Sequence, residues 1–241
     1  MIITSVNNEK IKEVVKLKDK KYRDINDRFI IEGLDLIREA YKNGLLEYLY
    51  ILEDEDTIYN DIPHSYVNSS VMKKLSDLES ISGYLGVCKK IEEKGIGNRI
   101  LLLDKVQDPG NVGTIIRSAV AFGFDTIVLG TGSVDLYNSK VIRSSKGMLF
   151  NINIINRDLI KFITDLDGYT IYGTDVVNGI DIRSESIPSK VAIVIGNEGQ
   201  GISNNVRELC DKFLYIDMNK NCESLNAGVS ASILMYEVMK K

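Results

Sequence analysis

From residue 99 onward, short apolar runs alternate with stretches whose hydrophobic positions recur at helical spacing. Ile100–Leu103, Thr126–Leu129 and Val191–Ile195 are almost wholly apolar and read as strands buried on both faces. Ile152–Ile155, Thr170–Tyr172 and residues 213–217 add shorter strands. Helical spacing predicts helices over 112–122, 138–145 and 157–166, and a last one from about Leu225. Continuous apolar strands alternating with helices predict a mostly parallel α/β sheet with helices on both faces. The first 90 residues alternate on a smaller scale. Ile11, Val14, Val15 and Leu17 mark a helix over 7–20, followed by a strand at 28–33 and a helix over 34–43 that stops at Gly44. A strand at 48–52, a helix capped by Ser69 or Ser70 and running to about Leu75, and a strand at 83–88 complete a small α/β module. Residues 91–98 are charged and then glycine-punctuated, which reads as a linker. The expected division is therefore 1–90, a linker at 91–98, and 99–241.

Composition narrows the chemistry. The 241 residues are 44% hydrophobic and 27% charged, as in an ordinary globular protein. No apolar run approaches the roughly 18 residues that span a bilayer, and the N-terminal pattern predicts no signal peptide, so a cytoplasmic protein without membrane association is expected. Cys88, Cys210 and Cys222 form no C-x-x-C pair, which argues against a structural zinc site or a disulfide framework. The single histidine, His64, leaves no material for a Ser-His-Asp triad or a histidine-ligated metal. Chemistry must come from Arg, Glu, Asn, Ser and backbone groups, and no metal is expected.

The net charge of −4 argues against nucleic-acid binding by the chain as a whole. Locally the balance differs. Residues 1–28 hold eight Lys and Arg against five Asp and Glu, and Lys140, Arg143 and Lys146 form a second basic group. Both are candidate phosphate contacts. There is no G-x-G-x-x-G after a leading strand and no phosphate-binding G-x-x-x-x-G-K-[ST]. Gly130-Thr131-Gly132-Ser133 is only a fragment of the former, so a nicotinamide-dependent dehydrogenase is poorly supported.

Three stretches stand out, each following a strand-like run and each mixing polar residues with small ones. The first, Asp104 to Arg117, contains Gly110-Asn111-Val112-Gly113, where exposed N–H groups of a first helical turn attract a polar ligand. Arg117 follows Asn111 by six residues, close to two turns, which places both near one face. The second, Ile195-Gly196-Asn197-Glu198-Gly199-Gln200-Gly201, lets a ligand approach the backbone and presents Glu198 at the sheet edge, in reach of a partner such as Arg117. The third runs from Ile216-Asp217-Met218 to Glu223-Ser224-Leu225-Asn226-Ala227, where Ser224 is a natural cap for the last helix. Taken singly, each stretch also fits an ordinary capped helix or a glycine turn.

In this order, the three stretches resemble the motifs of the SpoU/TrmH family of RNA ribose methyltransferases, of the SPOUT superfamily, over about residues 99–241. The first module resembles the substrate-binding domain that precedes this catalytic domain in many members. That likeness lies in Phe29-Ile30-Ile31-Glu32-Gly33 and Ser82-Gly83-Tyr84-Leu85-Gly86-Val87. The resemblance implies a SPOUT-like sheet with a deep trefoil knot, a homodimer through the catalytic domain, and S-adenosylmethionine held largely by backbone groups. It implies a cofactor site at Thr174, Gly196, Ile216, Met218, Ser224 and Leu225, and catalytic roles for Asn111, Arg117, Glu198, Ser224 and Asn226. Gly173-Thr174-Asp175 departs from the small-residue turn of many members, which bears on Thr174. The implied reaction is methyl transfer to a ribose 2′-hydroxyl of structured RNA. Ribosomal RNA is favoured over transfer RNA because a separate first module is present. The alternatives are a transfer-RNA enzyme and an RNA-binding protein without methyl transfer. An arginine stays protonated, so Arg117 reads as an electrostatic stabiliser rather than a base.

Overall fold

The computed structural model describes residues 2–176, 179–219 and 221–241. In chain order the elements are β1 (Ile2–Ile3), α1 (Glu9–Lys16), α2 (Lys20–Asn26), β2 (Arg28–Glu32), α3 (Leu34–Lys42), β3 (Leu46–Leu52), β4 (His64–Val67), α4 (Ser69–Leu75) and β5 (Tyr84–Lys89). Then come β6 (Arg99–Leu103), α5 (Pro109–Ala121), β7 (Thr126–Gly130), α6 (Ser139–Ser145), β8 (Asn153–Arg157), α7 (Leu159–Thr164), β9 (Thr170–Thr174), β10 (Ile180–Asp181), β11 (Val191–Ile195), α8 (Asn204–Arg207), β12 (Lys212–Tyr215) and α9 (Ala227–Met239). They form two compact units. One comprises Met1–Glu92 with Asp135–Phe150, and the other Glu93–Val134 with Asn151–Lys241. The stretch carrying α6 thus groups with the first unit, although sequence order places it inside the second.

The first unit is built on a five-stranded mixed sheet in the order β1-β4-β3-β5-β2. Ile11, Val14 and Leu17 pack with Tyr50, Val71, Met72 and Leu85 on one face of it. The single helix expected over 7–20 is two helices. Asp19 caps α2 by accepting from the Lys21 N–H at 2.9 Å. The buried Arg23 guanidinium donates to Leu17 O (3.0 Å) and Lys18 O (2.6 Å), satisfying the carbonyls that the break exposes. The cap of α4 is Asn68, accepting from Val71 N–H at 3.0 Å, rather than Ser69 or Ser70.

The basic surface expected on residues 1–28 is largely neutralised. Lys12, Lys16, Lys18, Lys20, Arg23 and Arg28 pair with Glu9, Glu13, Asp77, Asp24, Asp135 and Glu47, at 2.5 to 3.0 Å. Six of the eight cations therefore face a carboxylate, and the field available to a phosphate there is small.

The second unit carries a seven-stranded sheet in the order β10-β12-β9-β11-β6-β7-β8, parallel at every pairing. Ile100–Leu103 and Val191–Val194 are fully buried, as strands covered on both faces must be. From β6 the chain builds outward through β7 and β8. It then crosses to the other side of β6 for β9 to β12, so the β6–β11 boundary is a topological switch point, where ligands of open α/β sheets bind. Helix α5 begins at Pro109, three residues earlier than expected, because Asp108 caps it (Asn111 N–H to Asp108 Oδ1, 2.8 Å) and Pro suits the first helical position. Helices α5 and α9 approach closely. The Ser118 and Ser232 hydroxyls are 2.7 Å apart, and a Cβ on Gly228 would lie 3.3 Å from Thr114 Cβ. No helix among the described residues is long and apolar enough to cross a membrane.

Candidate active site

The carboxyl ends of β9, β11 and β12 open onto a cleft of about 610 Å³ in the second unit. Three distant segments wall it. Thr174 comes from the end of β9, the turn 196–201 follows β11, and the segment that follows β12 supplies Ile216, Met218, Ser224, Leu225 and Asn226. All six positions expected to hold a cofactor line this cleft, together with Glu198 and Asn226 of the expected catalytic set.

The turn after β11 is stiff. Asn197 and Gly201 exchange two backbone hydrogen bonds of 2.9 Å, and Asn197 Oδ1 accepts from the N–H groups of Gly199 (3.0 Å) and Gln200 (3.1 Å). Asn197 Nδ2 donates to Lys105 O at 2.8 Å, tying this turn to the loop after β6. At Gly196 an added Cβ would sit 2.2 Å from Gly201 C and 2.3 Å from Ile202 N. Only glycine fits, and the cleft wall there is bare backbone.

Glu198 bridges the first two motifs. Oε1 accepts from Asn111 Nδ2 at 2.9 Å and from Asp108 N–H at 3.1 Å, and Oε2 accepts from Gln107 N–H at 3.3 Å. Burial works to raise its pKa. The Asn111 amide and the N–H groups of 198, 108 and 107 outweigh that, so the carboxyl lies below its ordinary value. It therefore stabilises the fold above the ordinary glutamate value of 4.5, an increment lost as pH falls through the lowered value. Glu198→Gln is expected to be less stable than wild type towards urea at neutral pH, and equally stable once both are studied well below pH 4.5. A gap that persists in acid would rule out the ionised bridge as its source.

The pairing of Glu198 with Arg117 that the sequence suggested is not formed. Arg117, exposed on α5, makes no hydrogen bond or ion pair among the described residues, and neither it nor Asn111 lines the cleft. Asn111 is buried and reaches the site through Glu198. The cap of α9 is Asn226 rather than Ser224. Its Oδ1 accepts from Gly228 N–H at 2.9 Å and Val229 N–H at 3.2 Å, which gives this expected catalytic residue a structural task. Ser224 is exposed at the cleft wall. Thr174 Oγ1 donates to Val194 O at 3.0 Å, and Asp175 forms an ion pair with Arg207. Arg207 lies 4.3 Å from the centre of the Phe213 ring and also lines the cleft. Sequence reasoning missed Arg207, Ile202, Leu214 and Leu234. Asp175, in the turn that departs from the family pattern, was the available signal for the Arg207 pair.

A parallel α/β unit with a ligand-sized cleft at the carboxyl ends of its strands, walled by stiff amide- and glycine-rich loops, is the architecture of an enzyme domain. The comparisons specify which. The model of the SpoU rRNA methylase family matches residues 98–236, and that of the MRM3-like substrate binding domain matches 8–86. The chain belongs to the SpoU rRNA methylase family and is, by that membership, an RNA methyltransferase. It is 35% identical over 98% of both chains to the 23S rRNA (guanosine(2553)-2′-O)-methyltransferase RlmP of Bacillus subtilis. A crystal structure of an RNA 2′-O ribose methyltransferase superposes over all of this chain and 98% of its own, with a TM-score of 0.84 and 29% identity. The S-adenosylmethionine-bound rRNA methyltransferase from Sinorhizobium meliloti has the same fold (TM-score 0.87, 24% identity, 100% and 97% covered).

Proposed function

We propose that this protein transfers a methyl group from S-adenosylmethionine to a ribose 2′-hydroxyl of ribosomal RNA in the cytoplasm. The observation that carries the reading is the cleft itself, walled by Thr174 and by the second and third motifs, with Glu198 of the second bonded to Asn111 of the first. Its chemistry fits the cofactor. The volume of about 610 Å³ suits a nucleoside-sized ligand. Ile195, Ile202, Leu214, Ile216, Leu225 and Leu234 offer apolar wall for an adenine ring, and the bare backbone at Gly196 offers N–H and C=O groups to its edge. Bound there, the cofactor supplies an electrophilic methyl group on a positively charged sulfur.

The protein's own task is then alignment and charge. Thr174, Gly196, Ile216, Met218, Ser224 and Leu225 hold the cofactor, and the Glu198–Asn111 bridge fixes the first two motif loops against each other. Asn226 orients the third by capping α9. Arg117 holds a fixed positive charge for the oxygen that loses its proton. The B. subtilis relative methylates a guanosine of 23S rRNA, which favours ribosomal RNA over transfer RNA. The deep trefoil knot, threaded by the third motif, is part of the same proposal.

A homodimer accounts for Arg117. Val229, Tyr236 and Met239 are exposed on α9, packed beside the helix that carries Arg117, an apolar strip that a second copy would cover. Tyr236→Glu is expected to run as a monomer in light scattering and to lose methyl transfer while keeping its affinity for S-adenosylmethionine. An active monomer would refute the shared site. The reaction itself is tested by transferring labelled methyl from S-adenosylmethionine to total RNA of cells lacking the gene, with wild type and Arg117→Ala. Label from wild type alone, in alkali-resistant linkages, is the expected result. RNA binding without label would leave a binding protein.

A further inference from the structure

A second cleft, of about 290 Å³, lies along the same sheet edge on the other side of the switch point. Asp104 and Lys105 follow β6, Thr131 follows β7, Asp158 and Ile160 follow β8, and Asn204 and Asn205 open α8. The turn 197–201, bonded to Lys105 O through Asn197, separates it from the cofactor cleft.

Its polar groups are largely unspent. Asp104 is 4% exposed, and its Oδ2 accepts from Ser203 N–H at 2.6 Å. Its Oδ1 has no hydrogen-bond partner among the described residues. Among the described residues the only sealed side-chain polar atom without a partner is Arg23 Nε, so Asp104 Oδ1 keeps some contact with solvent, and Asp104 lines the cleft. Asp158 spends one oxygen on Lys161 N–H at 3.1 Å and keeps the other. The Lys105 ammonium and the side-chain amides of Asn204 and Asn205 make no bonds among the described residues. Ile160, 42% exposed, adds apolar surface.

Two carboxylates against one ammonium repel a phosphate. They suit a neutral, planar group that presents N–H donors to a carboxylate and acceptors to a lysine. We propose that this cleft binds one amino-bearing nucleobase of the substrate RNA, guanine foremost. Guanine N1–H and N2–H donate side by side to a carboxylate, and its O6 and N7 accept from a lysine. Uracil has one N–H between two carbonyls and cannot offer a carboxylate two donors side by side. The inference deepens the methyl-transfer reading by naming a base the site selects, and rests on it for RNA being the molecule that enters. The base belongs either to the methylated nucleotide or to its neighbour.

The test is titration of the ¹⁵N-labelled full chain, saturated with S-adenosylmethionine to block the first cleft, with GMP, CMP, AMP and UMP. GMP is expected to shift the amides of 104–105, 131, 158–160 and 203–206, with UMP at least about tenfold weaker, the worth of one charge-assisted hydrogen bond. Asp104→Asn keeps an oxygen for Ser203 N–H and turns the open oxygen into a donor. It is expected to weaken GMP about tenfold, leave UMP no weaker, and spare cofactor affinity in calorimetry. If that variant loses the cofactor as well, the exposed Lys105→Gln decides, with weakened GMP supporting the assignment and unchanged GMP overturning it. Equal affinity for GMP and UMP, or shifts confined to other residues, overturns it too. Methyl transfer to RNA that persists without base preference would sink this cleft alone, whereas absence of any transfer would sink the activity on which it rests. Identifying the labelled nucleotide assigns the source. A methylated guanosine places the target's own base in the cleft, and any other nucleotide places a neighbour there.

Discussion

Gly196→Ala is expected to weaken binding of S-adenosylmethionine about a hundredfold. The new methyl would lie 2.2 Å from Gly201 C, 2.3 Å from Ile202 N and 2.6 Å from Gly201 O, all backbone atoms. Relief requires the turn to move, and the turn is held by two Asn197–Gly201 backbone bonds and by the Asn197 side chain on two further N–H groups. Each such bond contributes about 1 kcal/mol, and forced overpacking costs about 1–3 kcal/mol. A loss of about 3 kcal/mol of binding energy is about two decades of affinity, and the stability of the unit falls as well. Gly199→Ala is the matched control. Its nearest contact would be an ordinary 3.7 Å to Asn197 Oδ1, so near wild-type affinity is expected there. Calorimetric titration of both variants checks the pair, and strong cofactor binding by Gly196→Ala would mean that the turn is softer than its hydrogen bonds indicate.

Arg117→Ala is expected to slow methyl transfer by about 10²–10³-fold, the usual worth of a group placed against developing negative charge, with cofactor affinity unchanged. Arg117→Lys keeps the charge and loses the planar fork, so it should recover only part of the rate. Full activity with lysine would leave charge alone as the requirement. Because Arg117 makes no bond among the described residues and lies outside its own cleft, the dimer proposal makes a sharper statement. Mixing inactive Arg117→Ala subunits with inactive Gly196→Ala subunits should restore single-turnover transfer. The mixed pair joins an intact cleft on one copy to an intact arginine on the other. No restoration in mixed dimers would place the arginine at its own copy's cleft.

The parallel sheet was legible because both faces of its strands are buried. Ile100–Leu103, Thr126–Leu129 and Val191–Ile195 leave no polar face to confuse them with helices, and all are strands. Elements whose stability comes from neighbours were not legible. β4 mixes His64 and Ser65 with Tyr66 and Val67 and lies between β1 and β3, while β10 and α8 have two and four residues. The break between α1 and α2 was hidden because its carbonyls are satisfied by Arg23, whose role depends on its burial. In the site, glycine-rich turns after strands revealed which segments meet, but not which side chains bond. Asn111 and Glu198 are 87 residues apart, and nothing in either motif distinguishes a Glu198–Asn111 pair from the Glu198–Arg117 pair that was expected. The eight cations of residues 1–28 read as a phosphate surface because the carboxylates of Glu47, Asp77 and Asp135, which neutralise three of them, lie outside that window.

The excursion of residues 135–150 into the first unit also has a genetic consequence. Three peptide connections, near 92, 134 and 150, join the two units where a simple tandem would have one. A single cut at 91–98 would give a carboxyl fragment that carries α6 away from its unit, with Val141 and Ile142, fully or almost fully buried in the intact chain, left without their cover. Swapping RNA specificity by exchanging the first module as a cassette would therefore fail unless 135–150 were exchanged with it. Recombination at the linker alone is expected to yield insoluble chimeras, so in this chain the two halves change partners as a matched set.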